Sequence, residues 1–210
     1  MFLLSPSVPA GDNYTMRREE MIAAIREMVQ ETRKYIGKED LAGEVYEAMA
    51  RVPRHAFVPP GLQANAYINR PLPIGADQTI SQPYIVALMT DLAQVHKDAV
   101  VLEVGTGSGY QAAVLAELAR QVYTIEIIET LGLRAQATLQ RLGYKNITVR
   151  IGDGYHGWEE HAPFDAILVT AAAENIPAPL VKQLKPGGRD RKSTRLNSSH
   201  MSESRMPSSA

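Results

Sequence analysis

Apolar residues recur at three- and four-residue steps through the first third of the chain and then gather into continuous runs. Between about Tyr14 and Ile36, the residues Ile22, Ile25, Met28 and Val29 fall on one stripe, which predicts an amphipathic helix. A second, shorter helix is predicted over residues 39–51, with Leu41, Val45 and Met49 along one face. Five prolines then follow between residues 53 and 73, in VPRHAFVPPG and NRPLPIGADQ, and they predict a stiffened loop. In GADQTISQPY, residues 75–84, Ser81 stands two residues before Pro83, and the apolar run YIVALM begins just beyond. That pattern predicts a helix from about Pro83 to Val95. Ser81 would be its cap, and Pro83 would sit in the first turn, where its missing N–H costs nothing.

From Ala99 the period changes. AVVLEV, VYTIEI, ITVRIG and FDAILVTAA read as strands, while QAAVLAELARQ, TLGLRAQATLQRLG and APLVKQL between and after them read as helices. Strands apolar on both faces, alternating with helices, predict an α/β fold: a Rossmann-like, doubly wound, mostly parallel sheet with an N-terminal helical extension. The chain then divides into a disordered N-terminus (1–13), a helical and loop region that shapes a cleft (14–95), and the sheet core (96–189). The last 21 residues, 190–210, include seven serines and no Val, Ile or aromatic residue, and so predict a disordered tail foreign to the fold. FDAILVTAA would then be an edge strand with its pairing groups unmet and its apolar faces partly bare.

Composition narrows the function. A 210-residue chain that is 45% hydrophobic and 21% charged, with net charge −1, is ordinary for a globular protein and gives no bulk attraction to nucleic acid or anionic membrane. There is no cysteine, hence no disulfide, no thiolate nucleophile and no Cys-based zinc site. The five histidines, at 55, 96, 156, 161 and 200, show no metal-ligand spacing, so no metal site is expected. The apolar run near the N-terminus is too short for a signal segment or a membrane span, and a cytoplasmic protein is expected.

The sharpest motif is VLEVGTGSGYQAAVLAEL, residues 101–118. A strand delivers Gly105, Gly107 and Gly109 into a turn, and a helix follows at once. Glycines there let the backbone turn tightly and approach a ligand. The spacing is G-x-G-x-G with Tyr110 next, so the dinucleotide fingerprint G-x-G-x-x-G is not met, and no triphosphate-binding P-loop occurs. Glu103 lies two positions before the first glycine. Glu126 closes the next strand, 21 residues after Gly105, where an acid in such folds accepts hydrogen bonds from ribose hydroxyls. Asp153 follows the third strand in GDG. Polar groups at three successive strand ends predict a nucleoside-containing ligand.

LEVGTGSGYQAAVLAEL, with VYTIEI, GDG and FDAILVTAA, resembles class I S-adenosylmethionine-dependent methyltransferases. VPRHAFVPP, AYINRPLPIG and QTISQPYIVALMTDL narrow the resemblance to the protein-L-isoaspartate O-methyltransferase family, over about Arg17 to Gly188. The resemblance implies S-adenosylmethionine as cofactor and isoaspartyl residues of damaged proteins as substrate, with methylation initiating their repair by a monomeric enzyme. It implies that Ser81 is the active-site serine, and that Gln78, Thr79 and Ile80 lie with it over the methyl group. Gly105, Thr106, Gly107, Ser108 and Gly109, with Glu103 just before them, would hold the methionine end of the cofactor. Glu126 would hold the ribose, and Asp153 and Gly154 would lie near the adenine. Family members continue after KPGG with further strands, and the resemblance implies that these are missing here.

The implied chemistry suits the residue types present. A free carboxylate with a pKa of about 3.9 is ionised at neutral pH without help. A sulfonium-bound methyl is already activated, so transfer needs positioning and exclusion of water rather than a general base. Ser81 would orient the carboxylate. It is not read as a nucleophile, since no G-x-S-x-G elbow surrounds it. Two rivals remain at this stage: a methyltransferase acting on a small molecule, and a catalytically inactive cofactor-binding protein. A nicotinamide dehydrogenase is a more distant third, because Tyr110 stands where its fingerprint needs glycine.

Overall fold

The computed structural model of the chain describes residues 10–170, 176–192 and 203–205. Two helices open it, α1 (Ala10–Ile36) and α2 (Gly43–Arg51). Of the predicted stripes Ile25, Val29, Val45 and Met49 are buried, Ile22 and Met28 are half-buried, and the buried Leu41 precedes α2, which starts later than predicted. Met21, Ile25 and Val29 of α1 pack into one cluster with Val45, Tyr46 and Met49 of α2. Residues 10–13, read as disordered, belong to α1; residues 1–9 lie outside the described residues.

The proline-rich stretch is more regular than predicted. It forms two short 3-10 turns, Arg54–Phe57 and Pro60–Asn65, and then an antiparallel hairpin of β1 (Leu72–Gly75) and β2 (Gln78–Ile80). Gly75 pairs with Gln78, so Ala76 and Asp77 alone make the turn, and both take positive φ, 51° and 54°. That is the geometry of a two-residue type I′ turn. α3 (Pro83–Ala93) follows, with Pro83 at its first position as predicted. Its cap, however, is Gln82 and not Ser81, and the Gln82 side chain makes no capping bond to the first turn. The Gln82 amide instead donates to the Asn69 carbonyl at 3.1 Å, while the Tyr84 N–H donates to the Asn69 side chain at 3.0 Å. The start of α3 is thus held by the preceding loop. At its far end, the buried Asp91 carboxylate accepts the Ala42 N–H at 2.7 Å and pairs with the Lys38 ammonium, tying the α1–α2 connection to α3.

The remainder is the predicted α/β core: β3 (Val100–Val104), α4 (Tyr110–Ala116), β4 (Gln121–Glu126), α5 (Glu129–Arg141), β5 (Ile147–Ile151), β6 (Phe164–Val169), α6 (Ala178–Lys182), β7 (Leu184–Lys192) and β8 (Glu203–Arg205). The strands order as β5-β4-β3-β6-β7-β8, all parallel except β8. Alternate residues of each strand face opposite layers. Val101, Val122, Ala166 and Leu168 pack against α3 and α4, and Leu102, Ile125, Ile167 and Val169 pack against Trp158 and Leu180. The α1–α2 cluster continues into Tyr110, Ala113 and Val114 of α4 and Leu131 and Leu139 of α5, so the N-terminal helices join the helical layer on one face of the sheet.

The C-terminal expectation needs correction. β6 is not an edge strand: β7 pairs along it from Phe164↔Leu184 to Val169↔Lys192, and β8 adds beyond β7. Residues 190–192 and 203–205 are therefore strand, and the rest of 193–210 lies outside the described residues. Main-chain N–H and C=O groups along β6 accept any chain as partner, so the polar side chains of this segment did not forbid the pairing. KPGG still interrupts the order, since the register jumps between Leu184 and Arg189 across that stretch.

Candidate active site

In the sheet order, β4 and β5 lie to one side of β3 and β6 to the other, so the connections leave β3 in opposite directions. In open parallel sheets that reversal opens a crevice at the carboxyl ends of the strands, where ligands bind. A cavity of about 280 Å³ lies there, lined by Gln78, Thr79, Ile80 and Ser81 from the hairpin side and by Glu103, Gly105, Thr106, Gly107 and Ser108 from the β3–α4 loop. Glu126 at the end of β4 completes it. Ten of the predicted site residues thus share one cavity. Ser81, freed from capping, is half-buried at its wall.

A second cavity adjoins the first. It shares Gly105, Glu126 and Ile127 with it and is otherwise lined by Val104, Ile125, Asp153, Gly154, Tyr155, Val169, Pro177 and Leu180. Asp153 and Gly154 fall here, apart from the rest. A side chain at position 154 would overlap Val104, so only glycine lets the chain after β5 lie this close to β3. Gly109 lines neither cavity. It caps α4 at φ 86°, and an added Cβ would stand 3.3 Å from Ala135 and Leu139 of α5. It lets α5 approach, and the members of the loop that line the cavity are Gly105 to Ser108.

The polar groups are arranged around two acids. Glu126 accepts the Gly107 N–H at 2.7 Å on one carboxylate oxygen and the Ile128 N–H at 2.9 Å on the other, which fixes the glycine loop against the end of β4. Glu103 is 0% exposed. The Thr124 hydroxyl donates to its Oε2 at 2.6 Å, and since that proton is committed, Thr106 must donate in turn to Thr124, also at 2.6 Å. Its Oε1 is buried and has no hydrogen-bond partner among the described residues. Burial pushes the Glu103 carboxyl up to about 8, against the pull of the Thr124 hydroxyl, and the Glu126 carboxylate adds to the rise. Among the described residues no Lys or Arg lines the cavity. Two acids with no counter-cation, one presenting an unpaired buried oxygen, make a site suited to a cationic ligand.

Several lining residues were not foreseen: Val86, Tyr110, Gln111, Ile127, Ile128 and Thr170. Thr170 donates to the Gly105 carbonyl at 2.6 Å and so braces the glycine loop from β6. Ile127 is 68% exposed at the junction of the two cavities, with Tyr155 nearby, an apolar surface of the kind a flat base covers. The signal available for Ile127 was its place next to Glu126; the others come together only through tertiary packing. Among the described residues no group of three or more His, Asp or Glu is placed to hold a metal, and no helix is long and apolar enough to cross a membrane.

Comparison with known proteins agrees with this geometry. A sequence model of the protein-L-isoaspartate(D-aspartate) O-methyltransferase family matches residues 23–190. Protein-L-isoaspartate O-methyltransferase 2 of Polaromonas sp. (strain JS666 / ATCC BAA-500) is 67% identical over 169 residues, which are 80% of this chain and 80% of that protein. The protein of the same name from Syntrophobacter fumaroxidans is 63% identical over 180 residues, 86% of this chain and 73% of its own. A solved protein-L-isoaspartate O-methyltransferase matches with a TM-score of 0.73 at 28% identity, over 86% of this chain and 56% of that one. A putative Plasmodium falciparum protein-L-isoaspartate O-methyltransferase, solved in complex with S-adenosyl-L-homocysteine, shares the fold with a TM-score of 0.66 at 23% identity, over 89% of this chain and 94% of that one.

Proposed function

Because this chain belongs to the protein-L-isoaspartate(D-aspartate) O-methyltransferase family, we propose that it methylates the free carboxylate of L-isoaspartyl residues in damaged proteins, using S-adenosylmethionine, and that Ser81 orients that carboxylate. The observation that carries this reading is the single cavity in which the Gln78–Ser81 segment faces the glycine loop and Glu126.

The residues present fit the cofactor. Its sulfonium and ammonium charges match a cavity lined by two acids and, among the described residues, by no Lys or Arg, and the Glu103 Oε1 offers an acceptor for the ammonium. Glu126 retains acceptor capacity for ribose hydroxyls beyond its two backbone bonds. Ile127 and Tyr155, with Asp153 and Gly154 behind them, supply an apolar and partly polar pocket suited to the adenine. The cofactor contributes an activated methyl group. The chain contributes position: the glycine loop and Glu103 fix one end, Glu126 the middle, and the hairpin residues Gln78 to Ile80 cover the reacting region from water. A hydroxyl on Ser81 donating to one carboxylate oxygen leaves the other free toward the methyl group. No base is required, because the acceptor is ionised at neutral pH.

The proline-rich region and the hairpin form the wall across which an extended, flexible substrate segment would lie, with the protein acting as a monomer. The product is an ester, and that supplies the test. Label transferred from methyl-labelled cofactor to an isoaspartyl peptide should leave as methanol in mild alkali. Label that stays bound through that treatment would indicate methylation at nitrogen, sulfur or carbon and would overturn the assignment. Cofactor binding without any transfer would favour a binding protein instead.

A further inference from the structure

We propose that Arg54 is a positioning residue for the transfer: its buried guanidinium holds the Ser81 backbone carbonyl and thereby sets where the Ser81 hydroxyl stands in the cavity. The proposal rests on the carboxylate-orienting role given to Ser81 above.

Arg54 opens the first 3-10 turn and is 0% exposed, which is rare for an arginine unless its groups are held. Its Nε donates to the Ala66 carbonyl and its Nη2 to the Ser81 carbonyl, both at 2.7 Å. Its Cζ lies 4.7 Å from the ring centre of Tyr110, the first residue of α4 and a member of the cavity wall. One guanidinium therefore joins three parts of the site: the loop ending at Ala66, the Ser81 segment, and the helix that follows the glycine loop.

The neighbours of Ser81 are held by other means. Upstream, Thr79 and Ile80 pair with Pro73 and Leu72 in the hairpin. Downstream, Gln82 and Tyr84 are bonded to Asn69. Ser81 lies between these anchors, outside both β2 and α3, and Arg54 reaches its carbonyl from the core side.

The arrangement is costly. Burial pulls the guanidinium down to about 10, against the opposing pull of Tyr110, and it stays charged at neutral pH. Well-packed apolar residues serve stability as well as a buried charge does. A buried cation bonded directly to the carbonyl of the proposed orienting residue marks a position whose geometry matters to the reaction.

Arg54→Lys keeps the charge but replaces the planar fork that spans two carbonyls with one compact ammonium. It should lower kcat for an isoaspartyl peptide by about 10- to 100-fold, the range expected when a reacting group is misplaced by about an ångström. The peptide KM and the affinity for S-adenosylhomocysteine should stay within about three-fold, since the groups that bind are untouched. In a Ser81→Ala background the same change should cause no further loss of kcat, because no hydroxyl remains to be positioned. Rates are taken per folded site, counted by titration with S-adenosylhomocysteine, and Arg54→Gln is read in the same way should the lysine variant not accumulate folded.

An unchanged kcat per folded site in Arg54→Lys would overturn the proposal. So would losses that multiply in the double variant. Multiplying losses with an impaired Ser81→Ala would leave the Ser81 reading intact and remove only Arg54's part in it. Full activity in Ser81→Ala would remove both.

Discussion

A hydrogen bond to a charged partner contributes about 1.5–3 kcal/mol, so Ser81→Ala is expected to lower kcat for an isoaspartyl peptide by roughly 10- to 100-fold. Cofactor affinity should be unchanged, since Ser81 is assigned to the acceptor, and isothermal calorimetry beside initial-rate kinetics would check the two together. Glu103 makes a different prediction. Its carboxyl, raised in the folded state to about 8 from 4.5, binds its proton more tightly folded than unfolded. Its contribution to stability is therefore complete below about pH 4.5 and is lost as pH rises through 8. Glu103→Gln, neutral and similar in shape, removes that loss. The ligand-free variant should melt at least as high as the parent at pH 8.5, by a margin that shrinks toward pH 5, while binding the cofactor more weakly. A margin independent of pH in thermal melts would contradict the placement of a buried, protonated Glu103. Residues like these were legible as types, since an acid before the glycines and an acid at the next strand end follow from strand–turn–helix spacing. Their states were not, because the unpaired Oε1 of Glu103 and the chain of hydroxyls through Thr124 and Thr106 depend on packing.

At the scale of elements, the parallel strands and their helices could be read from the text because each is marked by a run of apolar residues bounded by glycine or charge. The β1–β2 hairpin could not. Its turn is Ala76-Asp77 where Asn-Gly is the usual signal, so its two positive-φ residues looked like loop. That mismatch is testable. Ala76→Asn combined with Asp77→Gly should raise stability to urea by about 1 kcal/mol, by relieving left-handed strain at two residues. A loss of stability would contradict the turn type. Ser81 was misread as a cap for a related reason: the local signature was right about where α3 begins and wrong about which residue takes the cap. Asn69, fifteen residues before Tyr84, supplies the bond that local pattern assigned to the serine. β7 escaped detection because strand pairing is a main-chain affair. Leu184 to Lys192 carries little strand signal of its own, and the unmet groups of β6 recruit it.

Across the whole molecule, one apolar cluster runs from α1 through α2 and the proline-rich region to α4 and α5, and the cavity proposed for the cofactor lies at its edge. The N-terminal helices are therefore part of the structure that holds the site. Ile25→Ala, at a fully buried position of α1, should cost about 2–4 kcal/mol. It should also preserve a single transition in which far-UV circular dichroism and the fluorescence of Trp158, the one tryptophan, on the opposite face of the sheet, change together. Separate transitions would show two independent units instead. The central claim is that this cavity serves methyl transfer to isoaspartyl carboxylates. Its most direct test is incorporation of label from methyl-labelled S-adenosylmethionine into two peptides of identical sequence, one with L-isoaspartate and one with L-aspartate at the same position. The account predicts labelling of the isoaspartyl peptide alone. Equal labelling of both, or of neither while the cofactor binds, would contradict it.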